Sequence, residues 1–70
     1  MKVVKCEMTG TLVELKVKVG DNVQSGHEIA VVESMKMEVP IVSPVGGKVS
    51  RVLKNPGDFL NEGDAVVELA

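Results

Sequence analysis

Aromatic side chains are almost missing from this chain, which has no tryptophan, no tyrosine and one phenylalanine, Phe59. Its core cannot be built on rings. The stacking platforms that single-stranded nucleic acid binders use are absent as well. Cysteine occurs once, as Cys6, so no internal disulfide can form. One cysteine and one histidine, His27, fall short of a tetrahedral zinc set, and no metal site is expected. The longest unbroken apolar run is Ile29-Ala30-Val31-Val32, far below the roughly 20 residues of a membrane span. Charge of one sign is not concentrated anywhere. Lysine and arginine number 8 and the acids 10, for a formal net charge of −2. That mixture lacks the basic face a nucleic-acid partner would need. The opening Met1-Lys2-Val3-Val4-Lys5 has no apolar stretch of the kind a secretory leader carries, which points to the cytoplasm.

What is abundant is branched aliphatic. Among 70 residues there are 15 Val, 5 Leu and 2 Ile. Branching at Cβ restricts χ1 and favours pleated strands. The stretch Val13-Glu14-Leu15-Lys16-Val17-Lys18-Val19 alternates apolar and charged, the period of a half-buried strand. No segment sustains helical spacing. Gly20-Asp21, Gly26, Pro44, Gly46-Gly47, Pro56-Gly57-Asp58 and Gly63-Asp64 punctuate the chain as turns. The pattern predicts strands near 2–5, 11–18, 28–34, 38–42, 48–54 and 65–69. Two shorter ones are predicted near 22–24 and 59–61. This is an all-β sandwich or flattened barrel, read as one domain over 1–70 with no Pro/Ala-rich linker. A chain this short has little surplus stability to hold a deep polar pocket, so a self-sufficient enzyme is not expected and no catalytic residue is assigned.

An internal repeat organises the chain. Gly10 and Gly47 lie 37 positions apart, as do Gly20 and Gly57, Asp21 and Asp58, and Gly26 and Gly63. Apolar positions keep the same offset: Val4 with Ile41, Leu12 with Val49, Leu15 with Val52, Val23 with Leu60, Ile29 with Val66. Two copies are too few for a solenoid. Closed on each other about a pseudo-twofold axis, they would bury one shared core. The spacing of Leu12 and Leu15, repeated in Val49 and Val52, breaks strict alternation and predicts a bulge or a bend between sheets.

One segment fits neither copy. Glu33-Ser34-Met35-Lys36-Met37-Glu38 joins two predicted strands at the chain's midpoint. A tight hairpin there calls for Asn-Gly, Asp-Gly or Gly-Gly. Two large apolar side chains around a lysine satisfy no local folding rule, and such conflicts mark functional sites. The pattern alone leaves a second reading open, in which Met35 and Met37 are core residues and Lys36 is a common surface charge.

These residues resemble the biotinyl/lipoyl attachment family, and its biotin carboxyl carrier protein branch in particular. The resemblance covers essentially the whole chain. It rests on ESMKME around Lys36, the paired Gly-Asp turns, and Ser43-Pro44-Val45-Gly46-Gly47-Lys48-Val49, which is similar to the family's Ala-Pro-x-x-Gly-x-Val. It implies a flattened barrel of two four-stranded antiparallel sheets. Lys36 would stand at a hairpin tip, and the chain ends would lie close together on the opposite sheet. Cys6-Glu7-Met8-Thr9-Gly10 departs from the Ala-Pro-Met-x-Gly common in such domains, and His27 stands where the second copy has Asp64. The tight spacing of the first half leaves no room for the protruding loop that some carriers have, so a short, thumbless form is implied.

The function implied is a carrier. A biotin protein ligase would deprotonate the Lys36 amine and present an activated biotinyl carboxyl, forming an amide. The tethered biotin would then take up a carboxyl group at a biotin carboxylase site and give it up at a carboxyltransferase site. Met35 and Met37 would offer adaptable surface to the ligase or the cofactor ring. Glu33, Ser34 and Glu38 would serve partner recognition. The module would be monomeric by itself, with no nucleic-acid or membrane partner. Two alternatives stand beside this one. A lipoyl carrier would use the same fold and lysine, although lipoyl domains usually have Asp-Lys-Ala at the tip. An unmodified interaction module would keep Lys36 free and pack Met35 or Met37 inward. His27 reads as a surface turn residue and Cys6 as a small strand residue or a spectator thiol. The Gly-Asp pairs read as structural turns.

Overall fold

The turn residues and valine-rich runs resolve into eight strands in a computed structural model that describes residues 2–70; Met1, part of the opening segment and of the domain expected over 1–70, lies outside the described residues. In chain order the strands are β1 (Lys2–Lys5), β2 (Gly10–Leu15), β3 (Asn22–Val23), β4 (Glu28–Ser34), β5 (Met37–Val42), β6 (Gly47–Val52), β7 (Phe59–Leu60) and β8 (Ala65–Leu69). They form two four-stranded sheets, β1-β8-β6-β3 and β5-β4-β2-β7, antiparallel throughout. The 37-residue offset carries β1, β2, β3 and β4 onto β5, β6, β7 and β8. It therefore turns the order of the first sheet into that of the second. The repeat in the sequence is thus a pseudo-twofold relation between whole sheets.

The hydrogen bonds obey the same relation. Leu12 N donates to Asp58 O, and Val49 N to Asp21 O; Gly20 N donates to Val49 O, and Gly57 N to Leu12 O. These bonds cross between the repeats, so neither half is complete without the other. The Gly-Asp turns have a backbone reason. Gly20 and Gly57 sit at φ +99° and +97°, where a Cβ is strained. The following aspartates accept hydrogen bonds from the backbone three residues earlier, Asp21 from Lys18 N and Asp58 from Asn55 N. Both halves also share an internal lock. Cys6 and Ser43, 37 apart, are fully buried and donate to the carbonyls of Met8 and Val45. Their own carbonyls accept from Gly63 N and Gly26 N. Cys6 thus lies just past the end of β1 and is neither a strand residue nor a spectator, but a fixed, hydrogen-bonded member of the core.

The core is aliphatic, as the composition requires. Leu12, Ile29, Val32, Leu60, Val66 and Leu69 are all fully buried between the sheets. The broken alternation is a pair of bulges. Register shifts fall between Leu12 and Glu14 in β2 and between Val49 and Arg51 in β6. β2 and β6 end two or three residues before the sequence pattern predicts, and β3 and β7 one residue before. β2 stops at Leu15 and β6 at Val52, because the chain then leaves one sheet for the other. Lys16 N and Leu53 N make the last bonds to Ile29 O and Val66 O. Beyond them Val17 stays buried, but Val19 is exposed in a turn. The apolar rhythm outlasts the pairing.

β4 and β5 pair without a break from Ala30 opposite Ile41 to Ser34 opposite Met37. In the other sheet Lys2 is paired with Leu69. The chain ends thus occupy in one sheet the place that the β4–β5 turn occupies in the other. No helix among the described residues is long and apolar enough to cross a membrane.

Candidate functional site

A two-residue loop joins β4 to β5. Ser34 and Met37 are the closing pair, and Met35 and Lys36 are the central residues. Both have positive φ, 51° and 65°. That is the backbone of a type I′ turn, whose hand matches the twist of the flanking strands. Asparagine and glycine usually fill it. A side chain with a full Cβ costs about 1–2 kcal/mol in this region. Among the described residues, Met35 and Lys36 are the two non-glycine residues with positive φ. The strain sits at one turn, and that turn carries the lysine.

Exposure separates the two readings left open by the pattern. Met35 is 93% exposed and Met37 66% exposed. Neither is a core residue, so an unmodified module with an inward methionine is not the structure seen. Lys36 is exposed. Among the described residues the one ion pair joins Lys16 and Glu28 at 3.0 Å. There the Glu28 carboxylate, by hydrogen bond and charge, holds the Lys16 amine above its ordinary range. Lys36 makes no ion pair or hydrogen bond with a described residue. Its Cα is held by a two-residue loop on a continuous ladder while its amine is left in solvent.

The flanking residues are placed by the same ladder. Glu33 and Glu38 are directly opposite each other and exposed. Like charges across a strand pair oppose folding, so this pair is a second local conflict beside the first. Ser34 is half-buried at the base of the turn. Elsewhere, His27 is exposed beyond the Gly26 turn. No group of three or more His, Cys, Asp or Glu able to hold a metal ion occurs among the described residues. A cavity of about 330 Å³ lies between the edge strands β1 and β5, with Val3, Met8, Val39 and Pro40 in its wall. Sequence reasoning missed it because it forms between strands distant in the chain. The 37-residue relation of β1 to β5 was the available signal.

A family model described as biotin-requiring enzyme matches residues 2–69, the described chain but for its last residue. The chain belongs to the biotin/lipoyl family. A biotin/lipoyl attachment protein of Bacillus subtilis is 49% identical over 67 residues, covering 96% of this chain and 92% of the relative. Pyruvate carboxylase of Staphylococcus aureus is 36% identical over 63 residues, 90% of this chain and 6% of the enzyme. Urea carboxylase of Kluyveromyces lactis superposes with a TM-score of 0.91 at 30% identity, over 99% of this chain and 6% of that one. The family's biotin/lipoyl domain is thus both a small separate protein and a small part of large carboxylases.

The turn makes a direct test possible. Replacing Met35 and Lys36 together by Asn-Gly should stabilise the domain by about 1–2 kcal/mol, the strain removed. For a domain of this size that is a rise of ~4–8 °C in Tm per kcal/mol. Thermal unfolding by circular dichroism would show it. An unchanged or lower Tm would mean that the turn is not strained.

Proposed function

We propose that this protein is a biotin carrier in which Lys36 is the attachment residue. The supporting observation is the turn itself, a strained two-residue loop that holds one unpaired lysine outside a rigid barrel. The residues fit the group. An amide on Nζ needs an accessible amine and removes its charge, and among the described residues Lys36 has no partner that the loss of charge would orphan. The Lys36 amine, once deprotonated by a biotin protein ligase, attacks the activated biotin carboxyl. The new C–N bond forms as the bond to the leaving adenylate breaks. Met35 and Met37 present flexible apolar surface on either side of the new amide. Glu33, Ser34 and Glu38 form the base that the ligase grips.

When bound, biotin supplies a ring nitrogen that can carry a carboxyl group. The chain does no bond chemistry of its own afterwards and is not an enzyme. The continuous ladder of β4 and β5 fixes the root of the arm, and the exposed side chain of Lys36 gives it reach. Tethering raises the effective concentration of the group at a biotin carboxylase site and a carboxyltransferase site without tight binding at either. The carboxylases among the relatives support these partners, and a cytoplasmic, monomeric module suits them. Co-expression with a biotin ligase followed by intact-mass measurement tests the reading. One biotinyl group per chain is expected; a folded protein with none would refute it.

A second reading has one observation in its favour. The relative matched over 92% of its length is named for biotin or lipoyl attachment. Lipoate on Lys36 would use the same exposed amine. The same mass measurement, with lipoate and a lipoate ligase, separates the two.

A further inference from the structure

The pseudo-twofold symmetry makes one side chain stand out. Phe59, the only aromatic of the chain, is 61% exposed on the edge strand β7. Its neighbour Leu60 is fully buried, so Phe59 points to the outer face of its sheet. Its symmetry mate, 37 residues earlier, is Asn22, an exposed polar residue on β3. The fold therefore accepts a polar side chain at this position, and packing does not require a ring.

The register shows what Phe59 stands beside. Phe59 is opposite Thr11, Thr11 opposite Glu33, and Glu33 opposite Glu38. With strands about 4.8 Å apart, the four residues make one row roughly 14 Å wide across the sheet. Glu33 and Glu38 are exposed and Thr11 half-buried, so the row is on the outer face. It lies beside the turn that bears Lys36. On the sister sheet the mates of Phe59 and Thr11 are Asn22 and Lys48, opposite each other, polar and basic. The two sheets agree in their core and diverge on this row: the mates of Phe59, Thr11 and Glu33 are Asn22, Lys48 and Ala70, so the aromatic ring and the acid stand on the sheet that carries the lysine.

We infer that this row is the docking surface for the biotin ligase, with Phe59 as its apolar anchor and Glu33 and Glu38 as its charged rim. The inference rests on the carrier reading above. The partner it fits has an apolar slot flanked by lysine or arginine. The ligase is the occupant favoured because its reacting atom is the lysine amine itself, one side chain from the backbone. Its active site must close directly over this turn. The carboxylase sites meet the carried group at the end of a longer arm and need no such approach. A single buried aromatic commonly anchors an interface of this kind.

The test is steady-state biotinylation of the whole chain by a biotin ligase, read by mass, for wild type, Phe59→Asn and Asn22→Ala. Phe59→Asn copies the residue that the sister sheet already carries, so the domain keeps its fold, which its thermal unfolding checks. An anchor predicts a fall of about 30-fold in kcat/KM for Phe59→Asn. That fall resides in KM with kcat little changed, because binding and not chemistry is lost. Asn22→Ala should match wild type. A second readout is amide NMR with an inactive ligase, in which signals of the row broaden and those of the sister sheet do not. Equal kcat/KM for Phe59→Asn and wild type would overturn the inference while leaving the carrier reading intact. So would a Phe59→Asn variant impaired only in the later carboxylation steps. Failure of wild type to accept biotin would overturn the carrier reading and this inference with it.

Discussion

Lys36→Arg is expected to abolish biotin attachment completely. Arginine keeps the charge and nearly the length of lysine, so the barrel should not notice the change. The side chain is exposed and has no partner among the described residues, and substitutions at such positions stay within about 0.5 kcal/mol. The chemistry, however, is lost. A guanidinium stays protonated at every pH a protein survives, so it has no free electron pair for the activated carboxyl. Co-expression with a ligase should give a single unmodified mass for Lys36→Arg and a biotinyl adduct for wild type. Thermal unfolding should show the two equally stable. A residual adduct in the variant would place the attachment on another lysine, and the strained turn would then need a different explanation.

Gly10→Ala is expected to be the most damaging single-methyl change in the chain. A Cβ on Gly10 would come within 2.4 Å of the Glu33 carbonyl oxygen and 2.7 Å of Val32 Cγ1. The first is backbone on the facing strand, which cannot step aside without breaking the β2–β4 ladder. Overpacking of this sort costs about 1–3 kcal/mol and occasionally more. A fall of ~4–8 °C in Tm for each kcal/mol follows. The symmetry mate supplies the control. At Gly47 the nearest atom is the Leu69 side chain at 3.2 Å, a contact that gives by a few tenths of an ångström. Gly47→Ala should therefore cost less than Gly10→Ala when both are followed by chemical denaturation. Equal losses would show that the two close approaches are equivalent. Gly10→Ala also pushes on the strand that ends at the turn, so it should lower biotinylation beyond its effect on the folded fraction.

Most of this architecture is legible in the sequence, for physical reasons that differ by element. The 37-residue repeat is legible because turns demand particular residues. Gly20-Asp21 and Gly57-Asp58 are needed where φ is positive and an aspartate must accept a backbone hydrogen bond. The bulges are legible through Leu12 and Leu15, which break the alternation of their strand. Strand ends are not. Val17 and Val19 continue the apolar rhythm after the chain has left its sheet, and alternation does not record pairing. The role of Cys6 is hidden because its partner in symmetry is Ser43, a different residue type making the same bond. Lys36 draws attention by breaking local rules. The αL backbone at Met35 and Lys36 explains why those rules are there. The row from Phe59 to Glu38 has no signature along the chain, since its four members come from four strands and meet only through register.

The pairing of Lys2 with Leu69 has a topological corollary. Entry and exit of the polypeptide are neighbours on one ladder, in the place where the other sheet has its lysine turn. Such a module can be spliced into a host loop, or circularly permuted, by bridging a gap no wider than a short hairpin connection. Lys36 belongs to the sister ladder, and the splice leaves it untouched.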